Sequence, residues 1–172
     1  RQVSLSLEKN EIAFHGYKDH VIFENKEVLT GQGGVFSVFT PYKNAWLKKL
    51  TPHDLGAHAV DLDHYHWASI PSNLDTGIPS LQSMGFEHTG MEAYLHPGMS
   101  GASELLEDFI HRIDHYHATR DLPAVKGPSY LSVHSRFGTI SIRALVRIAH
   151  QKMLAGSMGA TIWLSELIWR DF

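Results

Sequence analysis

None of the 172 residues is cysteine, which excludes disulfide scaffolds, Cys-ligated zinc, iron–sulfur clusters and cysteine nucleophiles. No apolar run approaches the roughly 20 residues that a bilayer-crossing helix needs, and the N-terminus lacks the basic-then-apolar layout of a signal peptide. These absences predict a cytoplasmic protein with no membrane partner. Basic charge is also scarce: 15 Lys and Arg face 18 Asp and Glu, a net charge of −3, whereas phosphate-binding proteins normally carry a basic footprint. With 43% hydrophobic and 19% charged residues, 14 Gly and 7 Pro, the chain does not fit collagen-like, low-complexity or disordered classes. Its opening at Arg1 and its stop at Phe172, inside an apolar-periodic run with no cap, predict a piece of a longer protein.

The charge that is present is unevenly placed. Residues 1–49 hold seven basic and five acidic side chains, residues 50–119 hold one and ten, and residues 120–172 hold seven and three. A polyanion is therefore expected at the C-terminal third. The acidic middle carries nine of the 13 histidines, with two His-Tyr-His triplets at 64–66 and 115–117. Histidine and aspartate are common ligands of divalent metals. Yet no HExxH pattern occurs, and Asp61, Asp63, His64 and His66 lie in a stretch without helical period, so no metal site is expected.

Hydrophobic spacing divides the chain. The first dozen residues suit a short helix, and Ile12–Phe14 and Val21–Phe23 suit short strands, so residues 1–34 read as the trailing edge of an α/β unit. In FTPYKNAWLKKL, Pro41 is placed to start a helix carrying Ala45, Trp46 and Leu50. From Thr51 to about Ser100 no period persists, which predicts a long linker and assigns residues 35–100 to a connecting helix plus that linker. Three amphipathic helices follow in 101–172: one over 103–119, a second capped by Ser141 and stopped by Gly156, and a third from Met158 onward. The fold class expected is mainly α with a small α/β remnant.

On the third helix Trp163, Glu166, Trp169 and Arg170 share one edge. Two indoles bracket a carboxylate, a costly placement on an apolar helix unless something accepts its charge or hydrogen bonds. The plainer alternative is two core tryptophans with a Glu166/Arg170 pair at i, i+4 spacing. Before the second helix, RDLPAVKGPSYLSVHSRFG offers Ser129, Ser132 and backbone N–H groups that could hold a phosphate, or could simply turn the chain. Neither GxGxxG nor GxxxxGK[ST] is present.

The succession FTPYKNAWLKKL, PGMSGASELLEDFI, HYHATRDLPAVKGPSYLSVHSRFGTISIRAL and TIWLSELIWRDF resembles the DNA photolyase/cryptochrome family, specifically its microbial cyclobutane pyrimidine dimer photolyases. The resemblance covers nearly the whole chain. It implies the end of an antenna α/β domain, an interdomain linker, and the first helices of an FAD-binding helical domain. It implies FAD contacts at Tyr116, Ser129, Tyr130, Leu131, Ser132 and Trp163, with Pro128 and Tyr130 standing where the family usually has Thr and often Arg. Glu166 and Trp169 become the floor of a lesion pocket, with Arg120 and Arg170 at flanking phosphates of UV-damaged DNA. The implied reaction is light-driven: reduced FAD passes an electron to the dimer, the cyclobutane ring opens, and the electron returns. Glu166 would hydrogen-bond the dimer, best with a proton retained by burial. A folate or deazaflavin antenna is a further implication, although His15 occupies the position where folate-using members carry Glu. No obligate protein partner is implied, and these residues alone are expected neither to hold FAD tightly nor to repair DNA. A cryptochrome-like light sensor using the same flavin pocket is the alternative. A third reading is a helical interaction module with incidental histidines.

Overall fold

The computed structural model describes residues 2–58, 61, 63, 68–74 and 77–172. Among them the regular structure is entirely helical. α1 spans Gln2–Glu8, α2 Phe39–Lys49, α3 Gly98–Ile110, α4 Tyr116–Thr119, α5 Ser132–Phe137, α6 Ile142–Leu154 and α7 Met158–Ile168. Single 3₁₀ turns occur at Gln82–Met84, Met91–Ala93 and Ile113–His115. No described helix is long and apolar enough to cross a membrane.

The strands expected at 12–14 and 21–23 do not form: no strand occurs among the described residues. An isolated three-residue segment has no ladder to join, so its backbone donors must be satisfied elsewhere. Those of Ile22 and Phe23 go to the side chain of Asp171, at 3.2 and 3.0 Å. Both residues are buried at 2% exposure, in one hydrophobic core with Tyr42 and Trp46 of α2, Phe109, Ile113, Leu131, and the inner faces of α6 and α7.

The helix expected over 103–119 begins earlier and breaks. Its start is Gly98, and it ends at Ile110 before the 3₁₀ turn and α4. Arg112 explains the break, because its guanidinium holds Asp108 at 2.9 Å and donates to the carbonyls of Lys126 and Gly127 at 2.6 and 2.9 Å. The chain is thereby tied to the following loop, while Ile113 turns fully inward. α7 closes on this break through Gly159, where a Cβ would overlap the carbonyl oxygens of Ile113 and Asp114. Gly127 makes a similar approach to the carbonyl of Thr119.

The last two helices follow the sequence signals. Ser141 caps α6 by accepting the Ala144 N–H, and Ser157 caps α7 by accepting the Ala160 N–H at 3.2 Å. Between them Gly156 takes φ 91°, the left-handed turn that ends α6. α6 and α7 pack along each other, and α7 also covers residues 113–119 and touches α2. Each fully buried Leu, Ile or Val along this seam stabilises the fold by about 1.5–3 kcal/mol relative to exposure.

Candidate functional site

α7 carries two faces into two environments. Its inner face buries Ala160, Trp163, Leu164, Leu167 and Ile168. Its other face, with the C-terminal turn, joins α2 and α4 around an open cleft of about 570 Å³. Phe39, Lys43, His117, Arg120, Asp121, Met158, Ile162, Ser165, Glu166 and Trp169 line it.

Glu166 and Arg120 meet there, Oε1 to Nη1 at 2.5 Å. The side chains are 39% and 30% exposed, so this pair is partly solvated and contributes no more than about 1 kcal/mol to stability. The hydrogen bond from Arg120 to Glu166 is the main reason the guanidinium holds its proton more tightly than usual. The same guanidinium lies 5.6 Å from the centre of the Tyr116 ring, over its face.

Trp169 lies just past the last helical residue and is 48% exposed. Its indole is stacked on Phe39, with ring centres 3.8 Å apart and planes 8° from parallel. Lys43, one turn further along α2, reaches Ser165 of α7 at 3.4 Å. Three of the four DNA-side residues expected from the sequence, Arg120, Glu166 and Trp169, therefore share one cleft. Arg170 is turned away, donating to the Ser135 carbonyl of α5 at 3.2 Å.

The residues expected to hold a flavin form a connected wall. Phe109 is its hub: it meets Tyr116 edge-on at 5.7 Å and Trp163 at 4.8 Å. Arg112 lies over both Phe109 and Tyr130, at 5.1 and 5.9 Å. Trp163 is 3% exposed and backs the wall, whereas Tyr116 is half-buried, with its phenol pushed up chiefly by that burial. Beyond Tyr130, whose φ is 59°, Leu131 turns inward and Ser132 opens α5 with its side chain exposed. The Ser129 hydroxyl accepts the Leu131 N–H at 3.4 Å. α5 also carries His134, buried, with Nδ1 on Thr139 at 2.8 Å and Nε2 without a hydrogen-bond partner. Two serine hydroxyls beside aromatic faces are a set of groups that fits a phosphate-bearing aromatic cofactor. Pro128 adds no N–H to it.

Sequence reasoning missed several residues. Phe39, Lys43, His117 and Ser165 line the cleft, and although each lies in a segment that carries the resemblance, none was singled out as a site residue. Asp171 is the largest omission. Its carboxylate accepts the Trp46 Nε1–H at 2.7 Å besides the Ile22 and Phe23 N–H groups, and its carbonyl accepts the Tyr42 hydroxyl at 3.0 Å. Burial pushes the Asp171 carboxyl up, opposed by these donors and by Arg170, and burial is also the main cause that lifts Tyr42 to about 12. The one available signal was a carboxylate beside a buried aromatic helix. His15 lies in exposed coil, and His64 and His66 fall outside the described residues. Among the described residues no group of three or more metal-ligating side chains comes together.

The arrangement matches known proteins along the chain. The family model described as DNA photolyase matches residues 1–60. A deoxyribodipyrimidine photo-lyase from Vibrio cholerae is 33% identical over 170 residues, covering 96% of this chain and 35% of the relative. That from Escherichia coli is 30% identical, covering 100% and 36%. A bacterial class III photolyase structure from Agrobacterium tumefaciens superposes with a TM-score of 0.77 at 22% identity, over 99% of this chain and 36% of that one, and shows the same fold. The chain thus spans about a third of the length of the curated relatives it matches. The family match over residues 1–60, the relatives along the chain and the shared fold agree in making the chain similar to DNA photolyases.

Proposed function

We propose that the chain supplies the lesion-facing floor and part of the flavin wall of a deoxyribodipyrimidine photo-lyase, which splits cyclobutane pyrimidine dimers in DNA under blue light. The observation that carries this reading is the meeting of Arg120, Glu166 and Trp169 in one open cleft, with Arg120 over the Tyr116 ring that in turn meets Phe109 edge-on. The relatives named deoxyribodipyrimidine photo-lyase support it.

Each residue has a physical role. A dimer taken out of the duplex offers an apolar body that packs against the Trp169 ring, and carbonyl and imide edges that a carboxyl group can engage. Glu166 would exchange its bond to Arg120 for the imide N–H donors of the dimer. The released guanidinium, with Lys43 across the cleft, would meet flanking phosphates. Tyr116, Ser129, Tyr130, Leu131, Ser132 and Trp163 would hold and back the FAD, with Phe109 ordering two of their rings. When bound, that cofactor supplies the light-driven electron. The protein's share is to bind, orient and exclude water.

A cryptochrome-like sensor is not favoured, because it has no use for an open floor of indole, carboxylate and guanidinium. The test is an absorption spectrum of the complete protein with a repair assay on dimer-containing DNA. Flavin bands in the blue and repair that requires light are expected. Flavin without repair would overturn the reading in favour of a sensor, and neither would overturn it altogether.

A further inference from the structure

Trp169 sits where α7 can no longer hold it. The helix ends at Ile168, and the side chain that follows is nearly half exposed. Such an indole ordinarily samples several rotamers. Here two rings from outside the helix frame it. Phe39 lies flat against one face at 3.8 Å, and Phe172 meets the edges of both rings, at 5.4 Å from Trp169 and 5.8 Å from Phe39. A stack this close and this parallel is not the default preference of two aromatic rings, which favour offset or edge-on contact. Something must hold Phe39 in register.

That support comes from α2. Phe39 is its first residue, and two further residues of the same helix, Tyr42 and Trp46, are both hydrogen-bonded to Asp171. The residue that anchors α2 thus lies two positions after the indole that α2 braces. Phe39 also lines the cleft beside Lys43, Glu166 and Trp169.

We propose that Phe39 is a positioning residue for lesion recognition, holding the Trp169 ring plane so that its remaining face is ready for the flat body of a pyrimidine dimer. This inference rests on the photo-lyase reading and adds a residue from outside the C-terminal helices to it. The binding site would be preorganised, with the ordering cost of one indole met during folding instead of at the encounter.

The experiment compares F39L, F39Y and F39W with wild type in the complete flavin-loaded protein. It measures dissociation constants for an oligonucleotide with one thymine dimer and for the same sequence undamaged, with flavin content and thermal midpoint recorded alongside. Phe39→Leu keeps bulk but removes the flat face, and should weaken dimer binding about three- to tenfold, the range an aromatic stack is worth. Binding of undamaged DNA should be unchanged. Phe39→Tyr and Phe39→Trp should restore the preference. Equal discrimination by F39L and wild type, or equal loss in all three variants, would overturn the role of Phe39 while leaving the photo-lyase reading intact. A wild-type protein that does not prefer dimer DNA would instead overturn that reading.

Discussion

Two carboxylates five residues apart at the end of α7 live in opposite surroundings. Glu166 lies in an open cleft, partly solvated, with the Arg120 guanidinium as its partner. Asp171 is half-buried and gathers N–H donors from Ile22, Phe23 and Trp46, all more than 120 residues before it in the chain. The first is cheap to rearrange and so can be exchanged for a ligand. The second joins the 22–23 segment, α2 and the C-terminal turn, and holding that junction is what places Phe39 and Lys43 beside the cleft. Charge at the end of one helix is thus divided between a partly solvated ion pair that lines the cleft and a hydrogen-bonded junction that builds the platform.

This division can be broken at its strongest point first. Asp171→Ala leaves the N–H donors of Ile22, Phe23 and Trp46 without their part-buried acceptor and should cost about 2–4 kcal/mol, since donors left without acceptors are penalised individually. Urea unfolding of wild type and variant measures it, and a loss below 1 kcal/mol would dissolve the contrast with Glu166. Trp46→Phe keeps an aromatic ring but removes one of those donors, and about 1–3 kcal/mol is expected by the same measurement.

Acidity offers a smaller, signed test. Burial raises the Asp171 pKa above its ordinary 3.8, so the folded state binds a proton more readily than the unfolded chain. Its contribution is fully present below 3.8 and is lost as pH rises through the raised value. Asp108 and Asp114 run the other way. Hydrogen bonds from Lys126 and Ser157 respectively are the leading causes that depress them, so their contributions hold above 3.8 and fade as pH falls through the lowered values. Unfolding curves collected across this acid range should therefore show wild type gaining on Asp171→Asn toward lower pH, and a constant gap would contradict the assignment. The smallest change in stability belongs to the cleft: Glu166→Gln should shift unfolding by less than about 1 kcal/mol, although it alters the group offered to a ligand.

The molecule is legible in its sequence only in part, for physical reasons. α6 and α7 were legible because the Ser141 cap, a glycine stop and sustained 3.6-residue spacing all act locally, while the Ser157 cap of α7 went unread. Glu166 and Trp169 stood out as a carboxylate between indoles on an apolar helix, but a place for them in a lesion pocket came only from the resemblance. The break after Ile110 was not, because it depends on Arg112 reaching the carbonyls of Lys126 and Gly127. α5 lay inside a segment read as a turn. The strands expected at 12–14 and 21–23 failed because alternation alone cannot say whether a partner strand is at hand, and Asp171 accepts the N–H groups instead. Phe39 and Asp171 act across more than 120 residues, a distance that no window of sequence reports.

The central claim is that the cleft of Arg120, Glu166 and Trp169 handles the lesion, and the most direct measurement is the quantum yield of dimer splitting by the complete protein carrying Glu166→Ala. A clearly reduced yield is predicted, with flavin content and thermal stability close to wild type. Splitting at the wild-type yield would contradict the account.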